Sequence, residues 1–277
     1  MNISIEKKEF SESVYKVSRF AEKKSTTLQA LSSILIIAGN DGIKMRATNL
    51  ETGIDLKLDG KCISDGVVAI PATVLQQIAS SLTQEGNISI EHTGDTVSLT
   101  SGTGKSLIKT VSYDDFPSIP FPENSKNRTV IPGALLKNLF TSVAPCASLS
   151  TVRPELSSVY LSIEGGSLIV VATDSFRLVE KKAHLGNKGA QGKFLIPAKN
   201  AMDIAQVLPD DDIIMSFDEH QCAFVADGGM FVSRLTNATY PDYRQIIPKE
   251  SIVEAIVLRK DFESALKRTT IFSDSFQ

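Results

Sequence analysis

The chain repeats itself, and this restricts its fold more than any other feature of its 277 residues. Ile70-Pro71-Ala72 returns as Ile196-Pro197-Ala198, 126 positions later, and the same register pairs Ile78 with Ile204, Ala79 with Ala205 and Leu82 with Leu208. Ala47-Thr48-Asn49 and Ala172-Thr173-Asp174 keep almost the same interval, as do Asp115-Phe116-Pro117 and Asp242-Tyr243-Arg244. Each copy opens alike: Ile5, Ile131 and Val257 are followed in step by Phe10, Leu136 and Phe262, then by Val14, Phe140 and Leu266. A period of this length copies a whole domain rather than a solenoid unit. Two domains are expected over residues 1–121 and 128–248. A third opens at 249–277, in a stretch expected to be too short to fold alone. The segment Pro120 to Asn127, with Pro122 and Asn124, reads as the link between the first two.

Inside each copy the pattern alternates between helix and strand. Residues 9–23 place Phe10, Val14, Val17 and Phe20 at helical spacing, with Glu12, Lys16, Arg19 and Lys23 on the remaining faces, which predicts an amphipathic helix. Ile-Pro-Ala predicts the start of a second helix, because the first helical turn does not need the missing proline N–H. Leu31–Ile37, Gly42–Thr48 and Ser167–Thr173 are short, β-branched and bounded by turn residues, as strands are. The expected class is α+β, each domain carrying two helices packed on antiparallel sheets.

Composition excludes several functions. At 42% hydrophobic and 22% charged the chain is globular. Its apolar runs, such as Ile34–Ala38 and Leu168–Ala172, fall far below the roughly 18–20 residues of a membrane span, and the first residues lack an apolar signal core, so the cytoplasm is the expected compartment. Cys62, Cys146 and Cys222 are too far apart for a CxxC pair and are expected to be buried fillers. Ser101-Gly102-Thr103-Gly104-Lys105-Ser106 ends like a phosphate-binding loop, but Leu99 stands where the leading glycine belongs and a strand pattern follows, so a hairpin turn is expected. His92, His184 and His220 have no metal-ligand spacing and are expected near turns. Asp114-Asp115 and Asp210-Asp211-Asp212 are turn clusters and not an acid pair with split roles. No catalytic set, metal site or cofactor site is expected.

Two longer stretches carry a specific resemblance. Thr151-Val152-Arg153-Pro154-Glu155-Leu156, running on to Leu161, and Val171-Ala172-Thr173-Asp174-Ser175-Phe176-Arg177-Leu178 resemble the central domain of bacterial sliding clamps, the β subunits of DNA polymerase III. Ser233-Arg234-Leu235 with Tyr240-Pro241-Asp242-Tyr243 is similar to another signature of that family. The resemblance extends over the whole chain, because the family is built from three repeats of this length. Ser175-Phe176 and Gln245 depart from its Gly-His and basic positions.

The resemblance implies the DNA-clamp fold and a non-enzymatic processivity role. In the family a homodimeric, six-domain ring holds duplex DNA in its central hole. Grooves on the ring recruit the DNA polymerase III α subunit, the clamp loader and other proteins with a clamp-binding motif. It also implies a peptide groove on the central domain formed by Leu156, Thr173, Ser175, Phe176, Arg177, Leu178, Pro241, Gln245 and Ile246. For Leu178 and Ile246 the residues alone leave a plain core role equally open. Sequence-independent sliding requires phosphate attraction without base readout, so Lys16, Arg19, Lys23, Lys24, Lys137 and Lys199 on the helices are the expected DNA-facing cations. The helical segments sum to +5, against −8 for the rest of a chain of net charge −3. The alternative is a truncated clamp-like chain that binds partner peptides without closing a ring.

Overall fold

The computed structural model describes residues 1–23, 28–83, 85–119, 122, 127–186, 190–248, 250 and 252–272. The first repeat runs β1 (Asn2–Glu6), α1 (Lys7–Val17), β2 (Ser33–Gly39), β3 (Gly42–Thr48), β4 (Thr52–Leu58), β5 (Gly60–Ser64), β6 (Gly66–Pro71), α2 (Ala72–Ser81), β7 (Asn87–Thr93), β8 (Thr96–Ser101) and β9 (Gly104–Lys109). The second runs β10 (Asn127–Pro132), α3 (Gly133–Val143), β11 (Ser158–Glu164), β12 (Ser167–Thr173), β13 (Leu178–His184), β14 (Gly192–Pro197), α4 (Ala198–Ala205), β15 (Asp212–Phe217), β16 (Gln221–Ala226) and β17 (Gly229–Arg234). Beyond it lies α5 (Arg259–Thr269). Helices α1, α3 and α5 are spaced 126 residues apart, start to start and end to end. Among the described residues only β5 has no counterpart in the second repeat.

All strand pairings are antiparallel, and the fold is α+β as expected. One sheet orders β5-β1-β7-β8-β9, a second β13-β12-β11-β14, and a third, of eight strands, β10-β15-β16-β17-β4-β3-β2-β6. The third sheet crosses the repeat boundary. β17 pairs with β4 from Gly229 opposite Leu56 to Ser233 opposite Thr52. Beside this seam Arg46 and Asp55 face each other on β3 and β4, their side chains 2.6 Å apart. Helices α1 and α2 pack together over the first repeat, and α3 and α4 over the second.

The core follows the repeat. Phe10, Val14 and Val17 on α1, and Leu136, Phe140 and Val143 on α3, are fully buried, each worth roughly 1.5–3 kcal/mol of transfer from water. The first helix is shorter than its apolar stripe predicts. It ends at Val17, where the Ser18 amide donates to Val14 O at 2.9 Å. Phe20 is buried as expected but lies past the helix, its ring 6.2 Å from that of Phe231 in the second repeat. That contact is tertiary, so helical periodicity does not register it.

Pro71 and Pro197 stand one residue earlier than expected, as the last residues of β6 and β14 rather than inside the first helical turns. Their φ of −53° and −49° suits either place, and their extended ψ keeps them in the strand. Pro132 repeats the arrangement ahead of α3. The expected strands at Gly42–Thr48 and Ser167–Thr173 are observed with those bounds, whereas Leu31–Ile37 is shifted to Ser33–Gly39 behind a 3-10 turn at Gln29–Ser32. Most of the expected link lies outside the described residues, and Asn127 already belongs to β10.

Cys222 is buried, but Cys62 and Cys146 are only half-buried, contrary to the expectation that all three fill the core. Cys62 lies on β5, a sheet edge, and Cys146 on the 3-10 turn after α3, both packed against the border of the core rather than within it. The glycine-lysine motif closes a hairpin: Ser101 pairs with Gly104, Gly102 has φ +57°, and strand β9 follows. None of the described helices is long and apolar enough to cross a membrane.

Met1–Tyr240 form one compact unit and Pro241–Gln277 a second. The second holds a 3-10 turn at Tyr243–Ile246 and α5. There Phe262 and Leu266 are 54% and 51% exposed, although Phe10, Val14, Leu136 and Phe140, which match them in the repeat, are at 0%.

Candidate functional site

The site is built around the turn from β12 to β13. Thr173, the last residue of β12, points its hydroxyl across the turn and donates to Arg177 O at 2.8 Å, and the same oxygen accepts the Ser175 amide at 3.2 Å. Asp174 completes the turn: its Oδ1 accepts the amides of Phe176 at 3.0 Å and Arg177 at 2.9 Å, and its Oδ2 accepts Arg177 Nε at 2.9 Å. Short Thr and Asx side chains favour such turns because they substitute for backbone partners. Burial opposes ionisation of the Asp174 carboxyl, but the two amides and the guanidinium outweigh it and hold its pKa below the ordinary value. Ser175 takes φ +79°, where a residue with a side chain is strained. A glycine, which the resemblance noted above places here, would not be strained.

The same turn exists in the first repeat. Thr48 donates to Thr52 O at 2.8 Å, Leu50 N donates to Thr48 Oγ1 at 3.1 Å, and Asn49 Oδ1 accepts the amides of Glu51 and Thr52 at 3.0 and 2.7 Å. Leu50 has φ +71°. The backbone-bonding scaffold is therefore duplicated, with Asn49 in the place of Asp174, and the outward side chains differ. In the second repeat these are Phe176, 94% exposed, and Arg177, whose Nη2 reaches Pro145 O at 3.0 Å.

Leu156 is buried just ahead of β11, and its carbonyl accepts the Ser148 amide at 2.8 Å, closing the loop between them. Leu178 is half-buried at the start of β13, and Ile246 is 70% exposed, so neither is a plain core residue. The structure thus gathers Leu156, Thr173, Ser175, Phe176, Arg177 and Leu178 at one end of the sheet formed by β11, β12 and β13. Pro241, Gln245 and Ile246 belong to the second unit. There Gln245 Nε2 donates to Asp242 Oδ2 at 2.9 Å across the 3-10 turn. Pro145, which anchors Arg177, also lines a cleft of about 640 Å³ with Ala147, Leu149, Ala198 and Met202. Sequence reasoning did not single out Pro145, since it contributes a carbonyl and not a side chain.

The expected DNA-facing cations have company. Arg19 lies over the Tyr15 ring at 4.6 Å, bonds the Tyr15 hydroxyl and approaches Asp203 Oδ1 at 3.9 Å. Lys199 bonds Asp203 Oδ2 at 2.9 Å, and Lys137 bonds Asp210 at 2.6 Å. Lys16 is half-buried on the last turn of α1, Lys23 is exposed beyond the helix, and Lys24 lies outside the described residues. Sequence reasoning did not single out Asp203 as a partner, although its i+4 spacing from Lys199 could have marked it, and it read Asp210 only as part of a turn. Among the described residues no group of His, Cys, Asp and Glu is placed to hold a metal.

Residues 1–120 match the family description of the DNA polymerase III beta subunit N-terminal domain, and residues 130–242 that of its central domain. The beta sliding clamp of Bacillus subtilis (strain 168) is 29% identical over 287 residues, covering 99% of this chain and 75% of its own. That of Chlamydia trachomatis is 27% identical, covering 99% of this chain and 66% of its own. The chain therefore spans about two thirds to three quarters of these relatives' lengths. The crystal structure of the Bacillus subtilis DNA polymerase sliding clamp matches with a TM-score of 0.90 at 27% identity, over 100% of this chain and 75% of that one. A sliding clamp from Bartonella birtlesii, solved bound to griselimycin, matches at 0.89 and 26%, over 99% and 75%.

Proposed function

Because the chain belongs to the DNA polymerase III β-subunit, or sliding-clamp, family, we propose that it is a processivity factor that encircles duplex DNA and presents a peptide groove to the replicative polymerase, the clamp loader and other motif-bearing proteins. No catalytic step is assigned to the chain. Lys105 lies within β9, directly after a hairpin turn, and is not followed by a helix N-terminus that could hold a phosphate.

The observation that carries the ring is the seam between β17 and β4. There the last strand of one repeat completes the sheet of another. By the same rule β9 and β13, the edge strands that correspond to β17 and β4 in the other repeat, are the places where further repeats would add. Exposed backbone donors and acceptors on such edges favour pairing with another strand. Sedimentation velocity tests this: ring formation requires a species of twice the chain's mass. A monomer at tens of micromolar would favour the second reading, a peptide-binding chain that does not close.

The peptide groove rests on the exposed Phe176, the half-exposed Leu178 and the rigid turn that sets them. Fluorescence anisotropy of a labelled peptide carrying Gln-Leu-x-Leu-Phe should show saturable binding to the chain and none to Leu178→Asp, because a charge in an apolar pocket is not desolvated without loss. Equal binding by both proteins would remove the groove from this turn.

A further inference from the structure

Three of the cations expected to meet DNA are held by carboxylates that lie on α4 or on the turn that follows it. Asp203 on α4 takes two of them, Lys199 on its own helix at 2.9 Å and Arg19 from the other repeat at 3.9 Å, and its side chain is only 19% exposed. Lys137 on α3, the helix packed against α4, is held by Asp210 at 2.6 Å. Arg19 is confined further: its guanidinium covers the Tyr15 ring, and its Nε is buried without a hydrogen-bond partner. Three of the five expected cations that the structure describes therefore share two local carboxylates.

We infer that Asp203 and Asp210 are counter-charges that restrain the grip of this helix layer on duplex DNA, so that phosphate binds there by displacing a carboxylate. The inference rests on the DNA-encircling reading and adds to it the residues that set the strength of the contact. The exchange is feasible because the pairs are weak. Lys199 and the Asp210 carboxylate are 70% and 78% exposed, and surface ion pairs of this kind contribute little. A phosphate brings the same charge and more acceptor oxygens. For a ring that must slide, the consequence is useful: each cation that leaves a phosphate has a carboxylate to return to, which keeps the affinity low and the contact without register.

The test is the affinity of the full chain for a labelled 20-base-pair duplex over a series of salt concentrations. Asp203→Asn and Asp210→Asn should each tighten binding by about threefold at low salt, the scale of one surface ion pair. They should also steepen the dependence of log K on log salt by up to about 0.9 for each additional phosphate neutralised. Asp41→Asn, on the turn between β2 and β3, makes the same change in net charge and should leave both quantities unchanged. If Asp203→Asn and Asp210→Asn behave like Asp41→Asn while Lys137→Ala and Lys199→Ala weaken binding, the inference is overturned and the DNA reading stands. If Lys137→Ala and Lys199→Ala leave binding unaltered, this layer does not meet DNA and both fall. The Asp210 side chain is largely exposed, so its variant stays informative even if Asp203→Asn destabilises the fold.

Discussion

Arg177 donates from Nη2 to the carbonyl oxygen of Pro145 at 3.0 Å while its Nε holds Asp174 at 2.9 Å, so one guanidinium ties the turn between β12 and β13 to the segment after α3. Only a planar fork serves both acceptors at once. Arg177→Lys keeps the charge and loses the double attachment. Its peptide affinity should fall several-fold, close to that of Arg177→Ala. Stability should change by less than about 1 kcal/mol, because the side chain is 62% exposed. Anisotropy titrations alongside chemical melts check both parts. Full peptide affinity in Arg177→Lys would mean that the fork is not needed.

The duplicated turn separates scaffold from function. Thr48→Val and Thr173→Val each remove a hydroxyl that donates to a carbonyl and accepts an amide, and each should cost about 1 kcal/mol. Only Thr173→Val should also weaken the peptide, since the first repeat carries no equivalent of Phe176 and Arg177. Equal effects of both substitutions on peptide binding would place the groove elsewhere.

Acid should loosen the second turn before the first. The Asp174 carboxyl has a folded-state pKa below its ordinary value of 3.8, so it contributes stability that is present above that value and is lost as pH falls through the folded one. Asn49 occupies the matching position in the first repeat and does not titrate. Asp174→Asn should therefore flatten the fall of melting temperature below about pH 4 and leave the curve near pH 7 little altered, as followed by circular dichroism.

Gly133 admits no side chain. A Cβ there would stand 2.1 Å from Pro209 O and 2.8 Å from Asp211 O, because the Gly133 and Ala134 amides open α3 by donating to Asp211 O and Asp210 O. Gly133→Ala should destabilise the chain by roughly 1–3 kcal/mol, the usual cost of forcing atoms into filled space. Denaturant melts measure it, and a change below about 0.5 kcal/mol, the spread of ordinary surface substitutions, would show that the loop can withdraw.

The repeats should unfold together. Phe231 is buried at the seam, pairs with Ile54 and packs against Phe20, so Phe231→Ala removes core from both repeats and should cost roughly 3–5 kcal/mol. Calorimetry should show a single transition for residues 1–240 in the parent chain, displaced downward in the variant. Two separate transitions would mean that the shared sheet does not couple the repeats.

Much of this architecture was legible in the amino-acid sequence. The 126-residue period, the apolar stripes of α1 and α3, the strands at Gly42–Thr48 and Ser167–Thr173 and the hairpin at Gly102 all depend on spacing along the chain, and spacing is what a sequence records. The turn residues of the proposed groove could be named only through the resemblance of the contiguous Thr-Asp-Ser-Phe-Arg run to the family's motif, not from spacing. What tertiary structure alone decided are the relations between distant segments. These are the pairing of β17 with β4, the pull of Phe20 onto Phe231 beyond its helix, the bond from Arg177 to a backbone oxygen 32 residues away, and the capture of Arg19 by Asp203. Each depends on where the chain returns after folding. Hydrogen bonds and ion pairs act over only a few ångströms, so distance along the chain does not predict them, and the same lysine can read as a free cation or a neutralised one until its neighbours are in place.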